Sequence, residues 1–88
     1  MPRFFFNVQD GQTIMDHKGV DLSDWSTARL HAISIVGRIL AEEPERIAVD
    51  EDWLLEVSDS TGLILFRLDF HVTASPAVRG GKLKKEVF

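Results

Sequence analysis

Trp53-Leu54-Leu55-Glu56-Val57-Ser58, then Asp59-Ser60-Thr61-Gly62, then Leu63-Ile64-Leu65-Phe66-Arg67-Leu68-Asp69-Phe70 reads as two strands joined by a turn. Trp53, Leu55 and Val57 alternate with Leu54, Glu56 and Ser58, the period of two that sends alternate side chains to one face. Asp59 and Gly62 stand at the ends that a type I turn favours. A four-residue loop pairs Val57 with Ile64, Leu55 with Phe66 and Trp53 with Leu68. All of these are apolar and share a face, so the turn chemistry and the hydrophobic pattern agree. Phe70 extends that inner face.

Working towards the N-terminus, residues 44–52 form an acidic connection ending in Asp50-Glu51-Asp52. Pro44 ends the helix that precedes it, because a proline ring disfavours helical geometry in the residue before it. Ser23 is placed to cap that helix, with Asp24 favourable against the dipole of the first turn. At 100° per residue Trp25, Ala28, Ala32, Ile33, Ile35, Val36, Ile39 and Leu40 fall in one broad stripe, the predicted core face; Thr27, His31, Ser34 and Arg38 fall opposite. Residues 17–22 read as a loop.

Residues 3–9, Arg-Phe-Phe-Phe-Asn-Val-Gln, read as the first strand, with Phe4, Phe6 and Val8 on one face. Asp10-Gly11 is a hairpin signal, since both residue types tolerate positive φ. Residues 12–16 are the expected second strand. A two-residue loop pairs Val8 with Thr13; a three-residue bulged loop sets Ile14 beside Val8, and the one-residue slip exchanges the faces. The expected fold is therefore α+β: ββαββ, a four-stranded sheet of two hairpins packed on one face by a single helix. The first and fourth strands are the most apolar and are expected at the sheet centre. The expected domain is residues 1–73, with 74–88 a flexible basic tail rich in breakers.

The opening Met1-Pro2-Arg3-Phe4-Phe5-Phe6-Asn7-Val8 with Asp10-Gly11 resembles a family of short, functionally uncharacterised proteins common in alphaproteobacteria, which begin with Met-Pro-Arg, an aromatic triplet and Asp-Gly. The resemblance continues through Gly19-Val20-Asp21-Leu22, Ala28-Arg29, Trp53, Glu56-Val57, Asp59, Gly62 and Phe70, and so covers about residues 1–70. It implies the ββαββ arrangement and transfers no catalytic residue and no ligand. Asn7 stands where Asp is common in that family, which removes any carboxylate role from the position.

Composition excludes several chemistries. With no Cys there is neither a disulfide nor a thiolate metal site. The longest apolar run, Leu63-Ile64-Leu65-Phe66, falls far short of the ~20 residues a membrane helix needs, and no apolar leader opens the chain. The expected location is the cytoplasm, with no membrane partner. Residues 1–72 carry six Lys or Arg against thirteen Asp or Glu, while residues 73–88 carry four basic residues and one acid. An acidic body repels nucleic acid, so nucleic acid is not an expected partner of the domain.

Chemistry-bearing patterns are sparse. His17, His31 and His71 lack the local partners of a zinc site. Asp50-Glu51-Asp52 lacks the spacing of a calcium loop. Asp10 and Asp59 stand where Asx side chains bond their own turns. No nucleophile elbow, dinucleotide loop or P-loop occurs. The expectation is no catalytic residue, no cofactor and no metal. Arg29 falls inside the apolar stripe, where its stem packs at the core edge or its head pairs with Asp21 or Asp69.

Surfaces therefore carry the functional reading. Phe5, Leu54, Leu63 and Leu65 are expected on the sheet face away from the helix, where a singly covered sheet is normally polar. They form the candidate interface of a small non-enzymatic interaction module, homodimeric or bound to another protein. One alternative is a nucleic-acid-associated regulator whose tail contacts phosphates through Arg79, Lys82, Lys84 and Lys85. The other is a small-ligand or metal-binding domain, or a minimal enzyme.

Overall fold

The structure, a computed structural model, describes residues 1–79. The elements are β1 (Arg3–Gln9), β2 (Thr13–Ile14), β3 (Val20–Asp21), α1 (Trp25–Glu42), a 3₁₀ turn (Pro44–Arg46), β4 (Trp53–Ser58), β5 (Ile64–Phe70) and a single helical turn, α2 (Pro76–Arg79). The fold is α+β, with one main helix on an antiparallel sheet. Among the described residues the sheet has five strands rather than four: β2, β1, β4 and β5 lie side by side, and β3 also pairs with β1.

β4 is the centre. Trp53, Leu55 and Val57 are essentially sealed from solvent and meet Phe4 and Phe6 of β1 and Ala28, Ala32 and Ile39 of α1. Alanine at the two fully buried helix positions, Ala28 and Ala32, lets the helix backbone approach the sheet, so the large side chains of β4 fill the gap. The indole N–H of Trp53 is buried with no hydrogen-bond partner among the described residues, at a desolvation cost of about 1–3 kcal/mol.

β1 pairs with β4 through Phe6 opposite Val57 and Val8 opposite Leu55. Residues 64–70 lie at the sheet edge, which corrects the expectation of a central fourth strand; residues 53–58 hold that place beside β1. The pairing of β4 with β5 is also shifted by two residues from the expected one. Trp53 faces Phe70, Leu55 faces Leu68 and Val57 faces Phe66, while Ser58 faces Ile64. An even shift keeps each residue on its expected face. It arises because Gly62, at φ +89°, extends the connection to Leu63, and because Leu65 is an extra residue opposite the step from Val57 to Ser58. Such a bulge is the usual way one strand absorbs a surplus residue.

The first hairpin takes the three-residue loop, with Val8 opposite Ile14 and Gln9 opposite Thr13. β2 is only two residues long instead of the expected 12–16, and the stretch 17–22 contains β3, where Arg3 faces Asp21 and Phe4 faces Val20. Residues 13–21 thus run back along the edge of β1 that β4 leaves free.

Asp24, not Ser23, caps α1: its carboxylate accepts the Thr27 N–H at 2.8 Å. The helix ends at Glu42, just before Pro44, as its ring requires. The buried face is narrower than the predicted stripe. Trp25 and Ile33 are 60% and 47% exposed, and the Trp25 ring meets Phe66 of β5 edge-on at 6.2 Å. His31, expected on the outer face, is half-buried, with its ring 4.8 Å from that of Phe6.

Candidate functional site

Two surfaces combine several of the singled-out residues. The first is on the sheet face away from α1. Asn7 and Ser58 are buried there, and the Asn7 amide donates to the Ser58 hydroxyl at 3.4 Å. What covers them is the loop after β2, held by Asp16. One Asp16 oxygen accepts the Phe6 N–H at 3.2 Å; the other accepts the N–H groups of Lys18 and Gly19, both at 3.0 Å. The Asp16 N–H in turn donates to the Asn7 side-chain oxygen at 2.9 Å. Arg3 secures the far side of the loop by donating to Lys18 O and by pairing with Asp21 at 3.1 Å. Asp16 therefore replaces the ladder partner that Phe6 lacks between β2 and β3.

Asp59 performs the same task in the β4–β5 turn. One of its oxygens accepts the Thr61 N–H at 2.8 Å, the Thr61 hydroxyl at 2.6 Å and the Leu63 N–H at 3.0 Å. Between this turn and the Asp16 loop lies an open hollow of about 190 Å³, walled by Phe5, Asn7, Met15 and Ser58 besides the two aspartates. That is less than the ~300 Å³ at which small-molecule pockets begin. Both Asp16 oxygens accept backbone donors, as does one oxygen of Asp59.

The electrostatics agree with this structural role. Burial acts to raise the Asp16 pKa, but the N–H groups of Gly19, Lys18 and Phe6, with His17 nearby, hold it below the usual carboxylate value. The Thr61 hydroxyl leads in lowering Asp59, and the Thr27 N–H in lowering Asp24. A folded pKa below the unfolded one, about 3.9, gives stability that is complete above the unfolded value and lost as pH falls through the folded value. Thermal unfolding followed by circular dichroism should therefore show a midpoint that these groups leave unchanged from pH 7 to about 5 and that falls below about pH 4. Asp16→Asn should flatten that acid limb.

The second surface is the β5 edge with the neighbouring flank of α1. Ile64, Leu65 and Phe70 are 52%, 39% and 36% exposed along β5. Trp25 and Leu65 line an open apolar hollow of about 330 Å³. Leu65 was expected on the face away from the helix; the bulge turns it towards Trp25, because the residues flanking a bulge do not keep strict alternation.

The four candidate interface residues are thus not one patch. Phe5 is half-buried, opposite Ser58 and beneath Gly19. Leu54 is half-buried between Gln9 and Asp69. Leu63 is 62% exposed in the turn, and Leu65 is on the helix side. Of the candidate phosphate contacts, Arg79 closes α2, and Lys82, Lys84 and Lys85 lie outside the described residues. Arg29 is exposed, and the acids expected to pair with it pair elsewhere: Asp21 with Arg3, and Asp69 with Arg67 at 3.2 Å.

His71 stands 3.2 Å from Asp52, and His17 is exposed. Among the described residues no three His, Cys, Asp or Glu side chains gather as a metal site would require, and no helix is long and apolar enough to cross a membrane. Sequence reasoning missed Asp16 and also the part-buried pair of Arg46 with Asp10, at 3.1 Å, which ties the first hairpin to the end of the helix. An acid three residues before Gly19 was the only signal of the Asp16 loop.

A family model described as "Domain of unknown function (DUF6894)" matches residues 3–71. No curated protein matches the chain, and no solved structure does.

Proposed function

The chain belongs to this family of domains of unknown function, and from its surfaces we propose that it is a non-enzymatic interaction module that works as a homodimer, closed through the edge of β5 that no other described strand pairs with and the adjoining flank of α1. The observation that carries this reading is β5 itself. A seven-residue strand, Ile64–Phe70, lies at the sheet edge with five apolar side chains. Natural edge strands are normally blunted by short length, proline, a bulge or charge; β5 carries a bulge at Leu65 and the mutually neutralising Arg67–Asp69 pair, but it is seven residues long and has no proline. Trp25, Leu65 and Phe70 extend the apolar surface around the edge. Association buries such a patch most simply through a two-fold axis.

The non-enzymatic part rests on Asp16, both of whose oxygens accept backbone donors, on Asp59, one of whose oxygens holds its own turn, and on the small volume of the hollow between them. Size-exclusion chromatography with light scattering tests the reading. The expected mass is twice the 9.9 kDa protomer, and Leu65→Asp should return it to the protomer mass with the far-ultraviolet spectrum unchanged. A wild-type chain that stays monomeric at high micromolar concentration refutes the proposal.

A further inference from the structure

Resting on that homodimer, we infer that the two copies join by antiparallel pairing of β5 with β5 about a two-fold axis at Leu68, so that Arg67 of each copy faces Asp69 of the other. The sequence of the strand selects this register. Residues directly opposite in an antiparallel ladder share a face. A two-fold axis normal to the sheet must then pass through a residue opposed to its own copy. β5 is regular only beyond the bulge at Leu65, from Phe66 to Phe70.

Each centre in that stretch has a different consequence. Arg67 would set two guanidinium groups directly opposite, and Asp69 two carboxylates; like charges there are unfavourable. Phe66 runs the pairing into the bulge, and Phe70 runs it off the strand. Leu68 alone matches every pair: Leu68 with Leu68, Phe66 with Phe70, and Arg67 with Asp69. Arg67 and Asp69 are each 58% exposed and already paired within the strand at 3.2 Å. The symmetric arrangement would join both such pairs into a ring of four alternating charges on the face away from the helices. On the helix side, Phe70 of the second copy would lie beside Phe66, against the exposed Trp25 ring.

The test uses the full chain. Arg67→Asp and Asp69→Arg each turn both cross-strand ion pairs into like-charge pairs. Each is expected to weaken self-association about tenfold or more. The two variants mixed have complementary strands, all acidic against all basic at these positions, and are expected to form a heterodimer of wild-type affinity. Both sites are 58% exposed, so folding should be retained, with Arg67→Asp the less stable of the two because it sets an acid opposite Glu56 of β4.

A second arm exploits the absence of cysteine. Opposed Cα atoms lie about 4.5–5.5 Å apart, within disulfide reach. Leu68→Cys should therefore form a covalent dimer on oxidation. Phe66→Cys, about 13 Å from its copy in this register, should not. A wild-type dimer unaffected by both charge variants, or cross-linked through Phe66→Cys, overturns the register and leaves the homodimer standing. A monomeric wild-type chain removes both, as does a β5 edge whose amides are shielded from hydrogen exchange only while residues 80–88 are present.

Discussion

Leu55→Ala is expected to destabilise the protein by about 2–5 kcal/mol, the range for emptying a fully buried leucine site. Leu55 is wholly buried, opposite Val8 on one side and Leu68 on the other. Neither neighbouring strand can close the space without breaking its own ladder, so the site should collapse little and the cost should lie towards the upper end. A chain of this size has only about 4–13 kcal/mol in total. The midpoint of thermal unfolding should fall by about 4–8 °C for each kcal/mol lost, leaving a fraction unfolded that is measurable by denaturant titration at room temperature. Leu65→Ala provides the contrast. That side chain is 39% exposed, and its loss should change stability by no more than about 0.5 kcal/mol while weakening self-association.

Gly19→Ala is expected to be the most damaging change outside the core. Gly19 has φ +73°, and a Cβ there would lie 2.7 Å from Arg3 Cγ and 2.9 Å from Phe5 Cε2. The left-handed backbone costs a non-glycine residue about 1–2 kcal/mol. Arg3 can swing aside only by giving up its bond to Lys18 O and its pairing with Asp21. Overpacking against the half-buried Phe5 ring adds about 1–3 kcal/mol, giving about 2–5 kcal/mol in all. Gly62→Ala separates the two effects. Gly62 has φ +89° with nothing within 4 Å of its virtual Cβ, so it should lose only the conformational part. Equal losses at the two sites, measured by denaturant titration, would show that the Gly19 contact with Phe5 and Arg3 relaxes without cost.

The second hairpin and the helix were legible because each carries a periodic pattern with punctuation at its ends: Asp59 and Gly62 for the turn, Pro44 for the helix stop. The bulge was not, since nothing distinguishes Leu65 from Ile64 until Ser58 finds its partner. Strands of two residues, such as Thr13–Ile14 and Val20–Asp21, are too short to show any period. They exist because Asp16 bridges them, a tertiary effect. The helix stripe was read too broadly because hydrophobicity marks what must leave water, not what covers it. Trp25 and Ile33 are apolar on an exposed flank. The same reasoning misplaced residues 63–70 at the sheet centre: their apolar side chains measure a need for cover that β4 meets only in part. Of the four candidate interface residues, the bulge turned Leu65 to the helix side, beside the surface now proposed, and the loop at Gly19 packs over Phe5.

The two tryptophans divide the molecule's behaviour between them. Trp53 is 2% exposed in the centre of the core, and Trp25 is 60% exposed at the rim beside β5; the chain contains no tyrosine to obscure them. Intrinsic emission from this protein thus has an inner and an outer source. A soluble quencher should reach the outer one alone in the isolated protomer. Trp25→Phe would leave an optical reporter of unfolding, and Trp53→Phe one of assembly, so the two equilibria can be followed separately without a dye.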